Sequence, residues 1–268
     1  MEISINGIDL REISMINKIV ITTLLIMLGL NPVVAANISF ITHSIEGKTF
    51  RDQNGELRGI KNAGRRAFQV ELVREMMIKL KVTPRNHIIV PFKRGLKMIK
   101  LNRKPYAMFN TSKRPDRIGK MKFVGPLTHD IVYLYELKSN PSGIKTIEDA
   151  KNSGLCVNLG GNQDTFATNN GFSNIIRTDY EQCFKMLVRK RVRFATISHL
   201  DLFGVLKNAN INPGIIHNTA VYMFKSEGSI SFSNQVSDDV VNKWQSALDE
   251  IKTSGKYEEL LKEYLYPK

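Results

Sequence analysis

The alternation of strand-like and helix-like segments constrains the fold of this chain more than any other feature. Apolar runs with strand character are separated by segments whose apolar residues recur at helical spacing. The strand-like runs are 37–43, 88–90, 106–109, 155–159, 175–177 and 194–198. Such alternation is typical of α/β units with a mostly parallel sheet. The sequence therefore predicts an α/β fold with two lobes, no flexible linker, and a ligand cleft between the lobes.

Several local signals place further elements. An apolar run at Phe123-Val124 is stopped by Gly125-Pro126, and a separate strand is predicted at Ile131–Leu137. Thr146–Ala150 has the pattern of a short helix. Ser237 is predicted to cap a C-terminal helix whose first turn carries two aspartates.

The first 36 residues have the order of a secretory signal peptide. Arg11 and Lys18 precede the apolar run Ile19–Leu30, and small residues close the segment at Ala36. Twelve apolar-rich residues are few for a membrane span, which needs about 20 residues. We therefore expect a cleaved leader at 1–36 and a periplasmic protein. An uncleaved anchor is the alternative, and the start is either Met1 or Met15.

The chain is strongly basic, with a formal net charge of +14. Without residues 1–36 it has 37 basic and 22 acidic residues, a net charge of +15. In the cytoplasm such a charge would favour nucleic acid. Export favours an anionic ligand or an anionic envelope surface instead, so no nucleic-acid partner is predicted.

Residue patterns for catalysis are missing from the sequence. It has no Gly-x-Ser-x-Gly, no paired carboxylates and no His/Cys cluster with metal spacing, so we predict no catalytic residue, metal or cofactor. Of the five histidines, His129 and His199 come nearest to the expected cleft. Cys156 and Cys183 form one disulfide in an oxidising compartment or are two buried thiols, and both readings stay open here.

The segment Asn110–Leu127 is the strongest candidate for binding an anion. It follows a predicted strand and concentrates five cationic residues beside one acid, Asp116. An arginine at such a turn meets a carboxylate with two parallel hydrogen bonds. A solvated basic loop is the alternative, since charge runs usually face water.

Four blocks of the sequence form a recognisable series. They are 51–59 (RDQNGELRG), 91–96 (PFKRGL), 114–117 with 123–127 (RPDR and FVGPL), and 244–264, a C-terminal helix pair. In this order they resemble the periplasmic solute-binding proteins of the polar-amino-acid type, also called bacterial extracellular solute-binding protein family 3. The third block is similar to that family's Thr-Pro-Glu-Arg motif followed by Trp-Val-Gly-Pro-Leu, with Arg117 in register. The resemblance covers nearly all of 37–266.

The resemblance implies a type II periplasmic-binding-protein-like fold with two hinge crossings. Lobe 1 would comprise 37–128 and 223–268, and lobe 2 would comprise 129–222. It also implies capture of a small polar ligand, an amino acid or organic acid, by a monomer that serves an ABC-type importer or a sensor. Arg117 would bind the ligand carboxylate. The full set of implied ligand-binding residues is Lys48, Phe50, Phe92, Arg94, Asn110, Thr111, Ser112, Arg117, Gly161, Asn162, Thr165 and Ser198.

Two departures from the family pattern bear on the ligand. Ile45–Lys48 stands where the family has Tyr-Pro-Pro-Phe, and Ser198 stands at the position of an ammonium-binding Asp. An anion without an ammonium group is therefore favoured, although Glu46 could restore an ammonium partner. The alternatives are a degenerate member that binds an anionic surface and a small-molecule lyase on the same fold.

Overall fold

The computed structural model describes residues 38–43, 45–83 and 87–265, so the predicted leader at 1–36 lies outside the described residues. The described chain is a mixed α/β unit, as predicted. Its strands are β1 (Ser39–Thr42), β2 (Thr49–Arg51), β3 (Leu57–Gly59), β4 (Ile88–Ile89), β5 (Tyr106–Ser112), β6 (Lys122–Leu137), β7 (Leu155–Asn158), β8 (Ile175–Thr178), β9 (Phe194–Ser198) and β10 (Ile216–Phe232). Its α-helices are α1 (Arg65–Lys79), α2 (Phe92–Leu101), α3 (Asn162–Asn169), α4 (Tyr180–Val188), α5 (Leu202–Asn208), α6 (Asp238–Thr253) and α7 (Lys256–Tyr264).

Eight of the strands form one sheet in the order β4-β1-β5-β10-β6-β9-β7-β8. The outer strands on each side pair in parallel, whereas β10 runs antiparallel to both β5 and β6. Strands β6 and β10 have 16 and 17 residues and pair with each other along nearly their whole length. The first half of β6 therefore belongs to the β5 side of the sheet and the second half to the β9 side.

The buried residues gather on both sides of these two long strands. On the β5 side, α1, α6 and α7 pack around Trp244, whose ring lies 5.1 Å from that of Phe40. On the β9 side, α4 and α5 cover one face of the sheet and residues such as Phe194 and Leu155 pack on the other. The lobe boundaries proposed above stay a prediction.

Cys156 and Cys183 form a disulfide that joins β7 to α4, with an S–S distance of 2.06 Å. The structure therefore has the first of the two states that the sequence left open. Both residues are fully buried. Closing a loop over a separation of 27 residues stabilises the folded chain by about 3 kcal/mol in the chain-entropy view.

Two predicted elements differ from the observed ones. The stop at Gly125-Pro126 is instead a bulge inside β6, because the three residues of β6 between Val124 and Thr128 oppose the single residue Ser229 of β10. Proline lacks an N–H for the ladder and is tolerated at bulges. The predicted helix at Thr146–Ala150 is only a 3₁₀ turn at Glu148–Ala150. The helix cap at Ser237 is confirmed, since its hydroxyl accepts from Val240 N.

Candidate functional site

A cavity of about 220 Å³ lies where several strand and helix ends meet. The carboxyl ends of β5, β7 and β9 contribute Asn110–Ser112, Asn158 and Ser198, and the starts of α1 and α3 complete the wall. In α/β sheets, the carboxyl ends of the strands are the usual place for ligands. The cavity is thus a candidate ligand site by its position in the fold.

Arg65, at the start of α1, is paired with two acids of the cavity wall. Its Nη1 donates to Asp130 Oδ2 at 2.8 Å, and its Nη2 donates to Asp201 Oδ2 at 3.0 Å. The backbone N of Arg65 also donates to Asp201 Oδ1 at 3.1 Å. Burial opposes the charge of Arg65, but the two carboxylates outweigh it and raise its pKa. The Arg65 charge is therefore fully compensated.

Arg66, the next residue, lines the same cavity without such a partner. Its Nη1 donates to the His43 carbonyl at 3.3 Å. Among the residues that the structure describes, no carboxylate lies within ion-pair distance of Arg66. Burial, and then the Arg65 charge, lower the pKa of Arg66, yet an arginine stays protonated in proteins. Arg66 is consequently a cavity-lining arginine without a direct ion pair among the described residues.

His43 contributes a neutral wall beside Arg66. Its Nε2 donates to the Asn110 carbonyl at 2.9 Å, and its ring lies 4.8 Å from that of Phe92. Burial, and then the charge of Arg66, lower the pKa of His43 to about 3. The imidazole therefore adds no charge to the cavity at neutral pH.

A buried polar network holds the end of β5 in place. Asn110 N donates to Gln69 Oε1 at 3.1 Å, and Gln69 Nε2 donates to Thr128 Oγ1 at 3.0 Å. The Thr111 hydroxyl donates to the Ser229 carbonyl at 2.8 Å. Gly228 passes so close to this network that a Cβ there would overlap Thr128 Oγ1. The Asn110 and Thr111 part of the wall is thus held by hydrogen bonds to α1 and β10.

The start of α3 offers backbone donors on the other side of the cavity. Gly161 occupies the N-cap and supplies no side-chain acceptor to the helix. Asp164, the acid of the first turn, instead accepts from Gly160 N and from Arg177. First-turn N–H groups and the helix dipole favour an anion at such a position.

The structure brings seven of the twelve predicted ligand-binding residues to the cavity wall. They are Phe92, Asn110, Thr111, Ser112, Gly161, Asn162 and Ser198. Lys48, Phe50 and Arg94 do not line this cavity. Phe50 is on the β2–β3 hairpin and is half exposed.

Arg117, the predicted anchor, is buried behind the wall rather than in its lining. Its Nη1 donates to the Ser112 carbonyl at 2.8 Å, and its guanidinium lies 5.4 Å from the centre of the Phe92 ring. Within the described chain, its Nε has no hydrogen-bond partner. Arg117 thus supports two wall residues from the outside.

A second cavity, of about 350 Å³, adjoins the first and includes Thr165. Ser112, Asn162, Phe224 and Ser226 line both cavities. Arg114 lines only the second cavity, where its Nη1 donates to Asn162 Oδ1 at 3.1 Å.

Sequence reasoning missed Arg65, Arg66, His43, Asp130 and Asp201. One signal could have found the arginines. The first turn of α1 carries two of them and no acid, although the positive end of a helix dipole disfavours cations there. A local electrostatic conflict of this kind marks a position selected for something other than helix stability.

Two other features of the described residues bear on function. No group of three or more His, Cys, Asp and Glu side chains among them could hold a metal ion. Nor does any helix in that part of the chain have the length and apolar character to cross a membrane.

Comparison with known proteins identifies the fold. No family model matches the chain, and no curated protein does either. Among solved structures, the probable amino-acid ABC transporter extracellular-binding protein ytmK from Bacillus subtilis aligns with a TM-score of 0.66 and 16% identity, covering 86% of this chain and 98% of that one. A histidine kinase sensor domain with similarity to periplasmic binding proteins aligns with a TM-score of 0.64 and 13% identity, covering 84% and 95%.

A third similar structure is the ancestral amino acid-binding protein AncCDT-1, described as a precursor of cyclohexadienyl dehydratase. It aligns with a TM-score of 0.61 and 15% identity, covering 85% of this chain and 95% of that one. The chain has a periplasmic-binding-protein-like fold. At these identities the similarity establishes the fold alone.

Proposed function

We propose that this chain is an exported solute-binding protein, not an enzyme, that captures a small carboxylate-bearing ligand in the cavity. The observation that carries the proposal is the cavity-lining Arg66, which lacks a carboxylate partner among the described residues. Arg66 is half-buried, and an anionic ligand would give its guanidinium the direct, charge-assisted hydrogen bonds that it lacks. The start of α3 would add backbone donors to the same ligand.

The proposed working cycle follows from the two long strands β6 and β10. The two lobes would be 37–128 together with 223–268, and 129–222. They would close on the ligand by bending of β6 and β10 where these strands pass from one lobe to the other. The partner would be an inner-membrane permease or a sensor, and the protein would act as a monomer. Similar folds in an ABC transporter binding protein and in a sensor domain support both partners.

A thermal-shift screen tests this function, with α-amino acids, monocarboxylates and dicarboxylates as probes and native mass spectrometry to identify a co-purified ligand. Arg66→Met should lower the affinity for a stabilising carboxylate by at least about 100-fold, because it removes the charge partner. Arg117→Met is the matched control and should change the affinity for the same carboxylate by less than about tenfold. The reverse ranking would make Arg117 the anchor, as the sequence predicts.

The same samples address the two alternatives. A binding protein returns its ligand with unchanged mass, whereas a lyase releases products. A protein that binds an anionic surface should lose affinity steeply with added salt and should not discriminate among small carboxylates. Stabilisation by no carboxylate at all would contradict the proposed function.

A further inference from the structure

Arg65 holds two carboxylates that come from distant parts of the chain. Asp130 lies on the long strand β6, and Asp201 lies at the N-cap of α5. The Asp201 side chain makes no cap hydrogen bond and accepts instead from Arg65. The Asp130 side chain is only 1% exposed and also accepts from the hydroxyls of Ser198 and Thr128.

These contacts give the two acids the character of a cation subsite. Two carboxylates that face one cavity and share one planar fork of N–H donors match the recognition of a guanidinium or ammonium group. Here the fork belongs to the protein. Gly64, just before Arg65, leaves little space at this point, since a Cβ there would lie 3.1 Å from Asp201 Oδ1.

We propose that Arg65 is a resident counter-ion that fills the cation subsite of the cavity and thereby selects ligands without a cationic group. The proposal rests on the proposed function and deepens it, because it makes the ligand an organic acid rather than an amino acid. Arg65 satisfies both acids, and Arg66 is left to bind the ligand anion. Arg65 is thus the specificity-determining residue.

Chemical rescue tests this inference without the natural ligand. Arg65→Ala empties the subsite, and ethylguanidine at about 10 mM should raise the melting temperature of this variant by about 3–5 °C. Ethylguanidine at the same concentration should leave the melting temperature of the native chain unchanged, because Arg65 occupies its subsite. Arg65→Ala combined with Asp201→Asn should lose the rescue.

A folded Arg65→Ala variant that ethylguanidine does not stabilise would overturn the proposal, as would equal stabilisation of the native chain or of the double variant. If Arg65→Ala does not fold by itself, the readout is the folded fraction on refolding with and without ethylguanidine. A dependence on ethylguanidine supports the subsite and its absence overturns it. A failed carboxylate screen, in contrast, affects only the proposed function.

Discussion

The start of α1 and the basic turn after β5 both place arginines near the cavity, but the contacts of these arginines differ. At the start of α1, Arg65 bridges the buried Asp130 and the partly buried Asp201, and Arg66 lines the cavity. In the turn, Arg114 pairs with the exposed Asp116 and Arg117 donates to a backbone carbonyl behind the wall. The turn has more cations, whereas the helix start has the ones that face the cavity.

This difference shows that the partner of a charge matters more than the density of charge in a segment. A cation held by carboxylates at a buried site has a large effect on stability when it is removed. A cation on an exposed turn is screened by water and contributes little. Four measurements test this difference between the two regions.

Among single substitutions, the largest effect is expected for Arg65→Met. This change leaves Asp130 as a buried and unpaired charge, and it should lower the free energy of unfolding by about 4 kcal/mol. Arg117→Met is the control. It removes one hydrogen bond but also a buried Nε that has no partner within the described chain, so the change should stay within about 1 kcal/mol. Urea unfolding of both variants measures the two losses in the free energy of unfolding. Equal losses would contradict the expected difference between the two regions.

Gly228→Ala should disturb both regions at once. Gly228 pairs with Ser112 on β5 and with Thr128 on β6. A Cβ there would overlap Thr128 Oγ1 and lie 2.5 Å from Gln69 Nε2, so the buried hydrogen bond between them would break. We expect a loss of about 3 kcal/mol in urea unfolding.

Gly154→Ala is the matched control, since its nearest neighbours would be 3.6 Å from the new Cβ. Its loss should stay below about 1 kcal/mol. A Gly228→Ala variant as stable as this control would mean that the network yields without cost.

Acid should destabilise the protein through its buried histidines. Burial is the main reason that the pKa of His43 is lowered to about 3 and that of His87 to about 4. In the unfolded chain both protonate near pH 6.5, so between that pH and their folded pKa values the unfolded state binds more protons. Stability therefore falls as the pH decreases from 6.5, by about 2 kcal/mol per histidine at pH 5.

Urea unfolding at pH 7.5 and at pH 5 measures this loss. His43→Gln with His87→Gln should flatten the dependence in that range. If the stability of the double variant depended on pH as steeply as that of the native chain, the loss in acid would come from groups other than these histidines.

The smallest effect is expected for Arg114→Ala. Its ion pair with Asp116 and its hydrogen bond to Asn162 are both exposed, so the free energy of unfolding should fall by about 0.5 kcal/mol. Thermal unfolding of this variant checks the value, with Lys113→Ala in the same turn as the control. A loss above about 1.5 kcal/mol would place the turn on a level with the helix start.

The fold was predictable because its signals are local. Strand and helix periodicity, turn residues and the cap at Ser237 each depend on a few neighbouring residues. The bulge at Gly125-Pro126 was not predictable, because the partner that carries the strand past it is β10, about a hundred residues later. For the same reason, the continuous strand β6 was not predictable, and the sequence pattern indicated two separate strands instead.

The cavity was predictable only where it follows the ends of strands. Asn110–Ser112 and Ser198 lie there because they end β5 and β9. Arg65 contacts Asp130 and Asp201, which are separated from it in the sequence by 65 and 136 positions, respectively. No local pattern encodes contacts over such separations. The orientation of Arg117 is likewise a matter of packing around Phe92, not of spacing.

The place of β10 between β5 and β6 also determines when the chain can fold during its synthesis. The Thr111 hydroxyl finds its acceptor at Ser229, 118 residues later, and Phe40 packs on Trp244 near the other end of the chain. A nascent chain therefore cannot close its central sheet until β10 has left the ribosome. Such long-range pairing folds slowly, which suits the export proposed above, because a chain passes through a translocation channel unfolded.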